Sequence, residues 1–383
     1  MKVLTQLSRF FVGILFILSG FIKANDTLGF SYKLVEYFEI FKMHFLVDYA
    51  VAMAMFICIF EIMVGVALLL GSFVRLNAWL LLLMIVFFTL LTGYSAITNK
   101  VTDCGCFGDA IKLKPVESFL KDVVLLVLIL ILFIGQKHIT QLVKNKAITN
   151  LALGVALVVT TAFTFYTYMF LPRIDFLPYK VGNDIGKLMQ LPPYAKKDSV
   201  AMVFIYEKDG KRLELGVDDL GVIDDSYTFI DRIDKVIVKG DQPAIHDFRL
   251  SDASGVDYTD SLLLQKGFKM LLIQTWIEKS RKGIEPQIEK LANECQAAGV
   301  NFWALTNTNL NDVEAYRHEH QFAFTYYNMD ATPLKSIVRS NPGLVLMKDN
   351  VVIKKWTAYG IPTFEQVKLY MEGKVGPRGI RPE

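Results

Sequence analysis

The chain reads Asp103-Cys104-Gly105-Cys106-Phe107-Gly108-Asp109 in a short polar loop, flanked by two long apolar runs, Leu76 to Ile97 and Phe119 to Gly135. A helix that crosses a bilayer needs about 17–25 mostly apolar residues. The loop therefore belongs at a membrane surface, and the fold begins as a helical membrane bundle. Within the loop, Gly105 lets the backbone turn tightly. Such a turn can bring the two cysteine Cα atoms into the window of roughly 4.4–6.8 Å where a disulfide closes. A bridge in so small a ring is strained, and strained bridges are the readily reduced ones. Two uses stay open: Cys104 and Cys106 as a catalytic redox pair, or as a clip that shapes the loop.

Composition supports the membrane reading. Of 383 residues, 53% are hydrophobic and only 21% charged, too apolar a balance for an ordinary soluble protein of this length. The net charge of +3 comes without a basic block, so no nucleic-acid partner is expected. The four cysteines, Cys58, Cys104, Cys106 and Cys295, are too few for a disulfide scaffold.

Working outward, three more apolar runs appear: Phe10 to Ile22 with Val3-Leu4 upstream, Phe45 to Phe73, and Ala147 to Phe170. Five membrane helices are expected. A cleavable signal peptide is the alternative for the first, but Ile22 would occupy the −3 position of its cleavage site. Orientation rests on basic residues near span ends. Lys2 and Arg9, Arg75, and the cluster Lys137, Lys144 and Lys146 fall on one side. With these inside, the N-terminus is cytoplasmic, and the cysteine loop and C-terminal half are outside, in the periplasm of a bacterial inner membrane. Thiols oxidise and stay oxidised there.

Ionisable groups within spans are costly and mark partners or function. Glu61 sits mid-way along the second span, while Arg9 and Lys23 flank the first. Arg9 lies fourteen residues before Lys23, about 21 Å deeper. Counting inward from Val47 brings Glu61 to a similar depth. The expected partners are Arg9 and Glu61, with Lys23 as the second candidate.

These residues carry a resemblance. Leu7-Ser-Arg9-Phe-Phe-Val-Gly13, Ser19-Gly20-Phe-Ile-Lys23, Glu61 with Gly65, and the CGCFG loop resemble the DoxX-like membrane family, in its branch similar to the methylamine-utilisation protein MauE. The resemblance covers about residues 3 to 135. It implies a four-helix membrane module, here 1–136 with a fifth helix at 147–170, and a role in disulfide formation or maturation of periplasmic proteins. Nothing in the chain suggests methylamine metabolism itself.

Beyond Leu171-Pro172 charges become frequent and apolar runs shorten. Residues 171–240 read as a proline-rich tether followed by a small β-rich appendage. Residues 241–375 resemble thioredoxin-like domains of the TlpA and peroxiredoxin type. They run from Pro243 to Asp252 into a buried strand at Phe268 to Trp276, then a helix, a strand at Val300 to Thr306, a helix, a hairpin and a last helix. Pro342 is the candidate for that family's cis-proline. The departure is at the active site: where those enzymes carry Cys-x-x-Cys, this chain has Trp276-Ile-Glu278-Lys-Ser280. Cys295, on the apolar face with Ile284, Ile288 and Leu291, reads as core.

Two functions follow. In the first, Cys104 and Cys106 cycle between dithiol and disulfide, passing electrons to a quinone in the bundle or to a partner thiol protein. In the second, the chain is a non-enzymatic scaffold whose redox-silent outer domain docks cell-envelope proteins. Lys100, Lys112 and Lys114 would favour the reactive thiolate, Asp103 and Asp109 would oppose it. No metal site is expected; a zinc set from Cys104, Cys106, His44 and Asp103 is the weak alternative.

Overall fold

The computed structural model describes residues 1–98, 105–111, 113–196, 199–208, 210–224, 226–238 and 240–376. Cys104 lies outside the described residues, as do Lys100, Asp103 and Lys112.

The first part is helical. Helices α1 (Lys2–Asn25), α2 (Thr27–Ile40), α3 (Ala50–Leu70), α4 (Val74–Thr98), α5 (Pro115–Ile134) and α6 (Lys146–Met169) follow one another. Four of them, α1, α3 with the turn before it, α4 and α6, are long and apolar enough to cross a membrane. Large apolar side chains on their outer faces, such as Phe11, Leu83, Phe87 and Val158, point away from the bundle. A helix that is apolar all round is either buried or in lipid. The chain is a multi-pass membrane protein. The fourth expected span forms α5, which is set apart by three charges, Glu117, Lys121 and Asp122, in its first two turns.

Helices α1 and α3 cross at glycines. A Cβ on Gly65 would sit 2.8 Å from the Gly13 carbonyl oxygen, so only glycine permits this approach. Helix α5 packs beside α1 and α4 through Leu125, Ile129 and Leu132, which meet Val12, Phe16, Leu81 and Ile85. Helix α6 lies outside this core. It is fixed by the stacked Phe21–Phe163 rings and by Thr167 Oγ1 donating to the Ala24 carbonyl at 2.5 Å. Helix α2 was not anticipated. It starts at Asp26, whose carboxylate accepts from the Gly29 N–H at 2.8 Å, a cap of the preferred type.

The C-terminal region contains two sheets. After the single turn α7 (Ile185–Leu188), strands β1 (Ser199–Lys208), β2 (Lys211–Gly216) and β3 (Thr228–Val238) form an antiparallel sheet in the order β2-β1-β3. Then come α8 (Thr259–Leu264), β4 (Phe268–Gln274), α9 (Glu285–Ala297), β5 (Asn301–Thr306), α10 (Leu310–Glu319), β6 (Tyr326–Asn328), α11 (Ala331–Ile337), β7 (Gly343–Lys348), β8 (Val351–Thr357) and α12 (Phe364–Met371). The second sheet has the order β6-β5-β4-β7-β8; β4, β5 and β6 run parallel, β7 and β8 antiparallel. Both faces of its centre are covered. Leu271 and Ile273 meet Phe248, Leu262 and Leu334 on one side, while Met270 and Leu272 meet Ile288, Leu291 and Cys295 on the other. That double burial explains why the centre of β4, Met270 to Ile273, reads as an unbroken apolar run.

The stretch read as a tether is part of this region. The Gly182 N–H donates to the Val352 carbonyl at 2.8 Å, and Val352 returns the bond to Asn183 at 3.0 Å. Tyr179 and Ile185 are buried in the core beneath. Sequence reading missed this because prolines at 172, 178, 192 and 193 signal loop, while the pairing partner lies far along the chain.

Candidate functional site

The buried charges correct one expectation. Lys23, not Arg9, pairs with Glu61: Nζ lies 2.5 Å from Oε1, and both side chains are almost fully buried, 3% and 4% exposed. The Gly13–Gly65 crossing sets the register of the antiparallel α1 and α3. It places Arg9 level with Leu69, eight residues and about 12 Å along α3 from Glu61. Arg9 accordingly donates to the carbonyls of Leu68 and Leu69, at 2.9 and 2.7 Å, and to that of Thr140 at 2.9 Å. It satisfies the open carbonyls at the end of α3. Lys23 reaches Glu61 because side chains on a helix lean towards its N-terminus. The expected depth failed because α3 begins at Ala50; residues 44–49 form a separate short turn.

Above this pair sits the cysteine loop. Gly105 has φ +66°, and the Gly108 N–H closes a turn on the Gly105 carbonyl at 3.0 Å. Ser19 Oγ donates to the Cys106 carbonyl at 3.0 Å and lies 3.4 Å from Glu61 Oε2, linking loop to ion pair. The Lys121 ammonium stands 5.3 Å from the Phe107 ring centre. Beneath the loop is a cavity of about 30 Å³, lined by Cys106, Phe107, Ser19, Lys23, Glu61, Phe88, Lys121 and Asp122 among others.

Lys121 and Asp122 are the residues that sequence reading missed. Asp122 is buried, 2.9 Å from Lys121 Nζ, and accepts from Thr92 Oγ1 at 3.0 Å. The signal was present: two charges just inside the expected span 119–135. The cations that share a cavity with Cys106 are thus Lys23 and Lys121. Of the three lysines expected to act on the thiols, Lys114 instead opens α5, its backbone N–H donating to Glu117 at 2.9 Å. The cavity brings the Cys106 thiol together with two ion pairs, Lys23–Glu61 and Lys121–Asp122.

The sheet-containing region covers this end of the bundle. Arg339, between α11 and β7, donates through Nε to both oxygens of Asp26 (3.1 and 2.8 Å) and through Nη2 to Asp109 at 2.6 Å. Burial alone would ease the proton off its guanidinium, but Asp26 and Asp109 outweigh that and hold its pKa raised. Lys335 stacks its ammonium over Tyr32 of α2 and over Trp276, at 4.9 and 4.7 Å. Lys355 forms a second ion pair with Asp175 at 2.8 Å. Beside these contacts, the Asn341–Pro342 bond is cis, and Asn341 Nδ2 donates to the Trp276 carbonyl at 2.8 Å. Cys295 is fully buried in the core of the C-terminal region, and burial pushes its thiol up to about 12. Among the described residues no cluster of three His, Cys, Asp or Glu side chains suits a metal ion.

Fold and site together define a class: a multi-pass membrane protein with a cysteine-bearing loop over buried charges and a sheet-containing C-terminal region. More particularly, residues 1–135 match the family model described as methylamine utilisation protein MauE. Residues 200–239, which hold most of β1, β2 and β3, match a domain of unknown function, DUF8463. No curated protein matches the chain. Among solved structures, a hypothetical protein from Sinorhizobium meliloti 1021 is similar at 17% identity and TM-score 0.26, covering 33% of this chain and 81% of its own.

Proposed function

We propose that this protein is a thiol-redox or protein-maturation component of the cell envelope, acting through Cys104 and Cys106. It lies in the bacterial inner membrane with its N-terminus cytoplasmic and its sheet-containing region periplasmic. The observation that carries the reading is Cys106, placed in the roof of a buried cavity it shares with the Lys23 ammonium. The reaction is thiol–disulfide exchange with a periplasmic partner. A partner thiolate attacks the Cys104–Cys106 bridge, forming a mixed disulfide, and the partner's second thiol resolves it. The partner leaves oxidised and the loop pair reduced; the reverse runs equally. The small cavity, about 30 Å³ against the roughly 300–1,000 Å³ of ligand pockets, favours a partner thiol over a quinone as the acceptor.

The strand order and directions of the second sheet support a thioredoxin-like reading of residues 241–375. In that reading Trp276 to Ser280 replaces the cysteine pair. The Ser280 hydroxyl accepts instead from Gln274 Nε2 at 3.1 Å. The match to MauE supports the maturation role.

One observation favours the scaffold alternative: the region's own cysteine, Cys295, is fully buried, so this domain contributes no exchanging thiol. Replacing both loop cysteines with serine separates the readings. Loss of partner oxidation, with the protein still inserted and stable, supports exchange, and a mixed disulfide trapped on a single-cysteine variant identifies the partner. Unchanged oxidation would leave the scaffold.

A further inference from the structure

We infer that Arg339 is a positioning residue for the cysteine loop, holding Asp109, and through it Cys106, down over the Lys23–Glu61 pair. This rests on the loop being the working site.

Most of the loop's restraints come from the membrane module: Ser19 on the Cys106 carbonyl, Lys121 on Phe107, and Lys33 packed against Gly105. Arg339 comes from 230 residues further along the chain. Its guanidinium joins Asp109 in the loop to Asp26 at the corner between α1 and α2. Nη1 meanwhile donates to the Lys335 carbonyl at 2.5 Å, fixing the side chain from behind. The arginine is 6% exposed, Asp26 14% and Asp109 23%, so the fork is shielded from competing water. A planar guanidinium can serve two carboxylates at once; an ammonium is a point charge without that geometry.

The corner is shaped for the fork. A Cβ at position 29 would lie 2.4 Å from Asp26 Oδ2 and 2.8 Å from Arg339 Nη2, so Gly29 leaves the room the pair needs. Without the arginine, Asp26 and Asp109 lose the cation that bridges them. Asp109 then turns to water, and the turn carrying Cys106 lifts with it.

The test is the rate at which a membrane-permeant maleimide alkylates Cys106 in full-length protein carrying Cys104→Ser, followed over pH. Cys58 and Cys295 are fully buried and do not compete. Arg339→Gln and Asp109→Asn should each speed alkylation by about tenfold, the scale of one charge-assisted hydrogen bond, and should change its pH profile. Arg339→Lys should restore part of the protection. Asp109→Asn leaves the Arg339–Asp26 pair in place, so it separates loop positioning from docking. Lys355→Met loosens docking elsewhere and should leave the rate unchanged. If Asp109→Asn alkylates like its parent, or if Lys355→Met accelerates the reaction as much as Arg339→Gln, Arg339 does not position the loop. Alkylation needs no redox partner, so this outcome is independent of whether the loop cysteines exchange electrons.

Discussion

Lys23 and Glu61 line a cavity whose other walls are largely aromatic and aliphatic, so each is the other's counter-ion. Removing one member strands the other: Lys23→Met or Glu61→Gln alone should cost about 3–5 kcal/mol. The double variant Lys23→Met/Glu61→Leu should cost less than either single change, because no charge is left unpaired. Thermal unfolding in detergent measures both, and a double variant as unstable as the two singles combined would refute the argument. The sequence announced that Glu61 needed a partner, since a carboxylate within an apolar span is expensive. It did not announce which. That choice followed from the Gly13–Gly65 crossing, a contact between residues 52 positions apart.

Strand β4 shows how an element tolerates a misfit. Lys269 lies in its buried stretch, with its ammonium donating to the Leu262 carbonyl. Burial presses its pKa down to about 8, against about 10.4 in an unfolded chain. Between those values the unfolded state binds more protons, so stability rises with pH through that window. Below it both states are charged and the burial cost is felt in full. The stability of the C-terminal region should climb from about pH 8 to about pH 10.4, and Lys269→Met should flatten the climb. A slope unchanged by the substitution, read from thermal melts across this range, would count against the assignment. Elements with strong periodicity or long apolar runs were legible: α1, α3, α4, α6, β4, and α9 with its buried face at 288, 291 and 295. Strand β6 was not, because three residues carry too little pattern, and α11 was hidden by Pro333 in its first turn.

At the scale of the whole molecule, Arg339 ties the sheet-containing region to the bundle at Asp26 and Asp109, and Lys355 ties it to Asp175 in the connection that follows α6. Both belong to one packed body, so losing either leaves the other as an anchor at high effective concentration. Single variants Arg339→Gln and Lys355→Met should keep the connection at residues 171–176 resistant to protease. The double variant should expose it, with cleavage exceeding the sum of the singles. Equal resistance in all three would mean that apolar packing alone holds the region. The sequence by itself determined the membrane bundle, the cysteine loop between two apolar runs, and a sheet-rich remainder, because hydrophobic pattern is local and each span or strand declares itself. Only the tertiary structure decided that Lys23 takes Glu61, that Lys121 and Asp122 join the cavity under Cys106, and that Arg339 reaches the loop. Those contacts are fixed by helix register and rigid-body docking, and these depend on surfaces that no single stretch of chain contains.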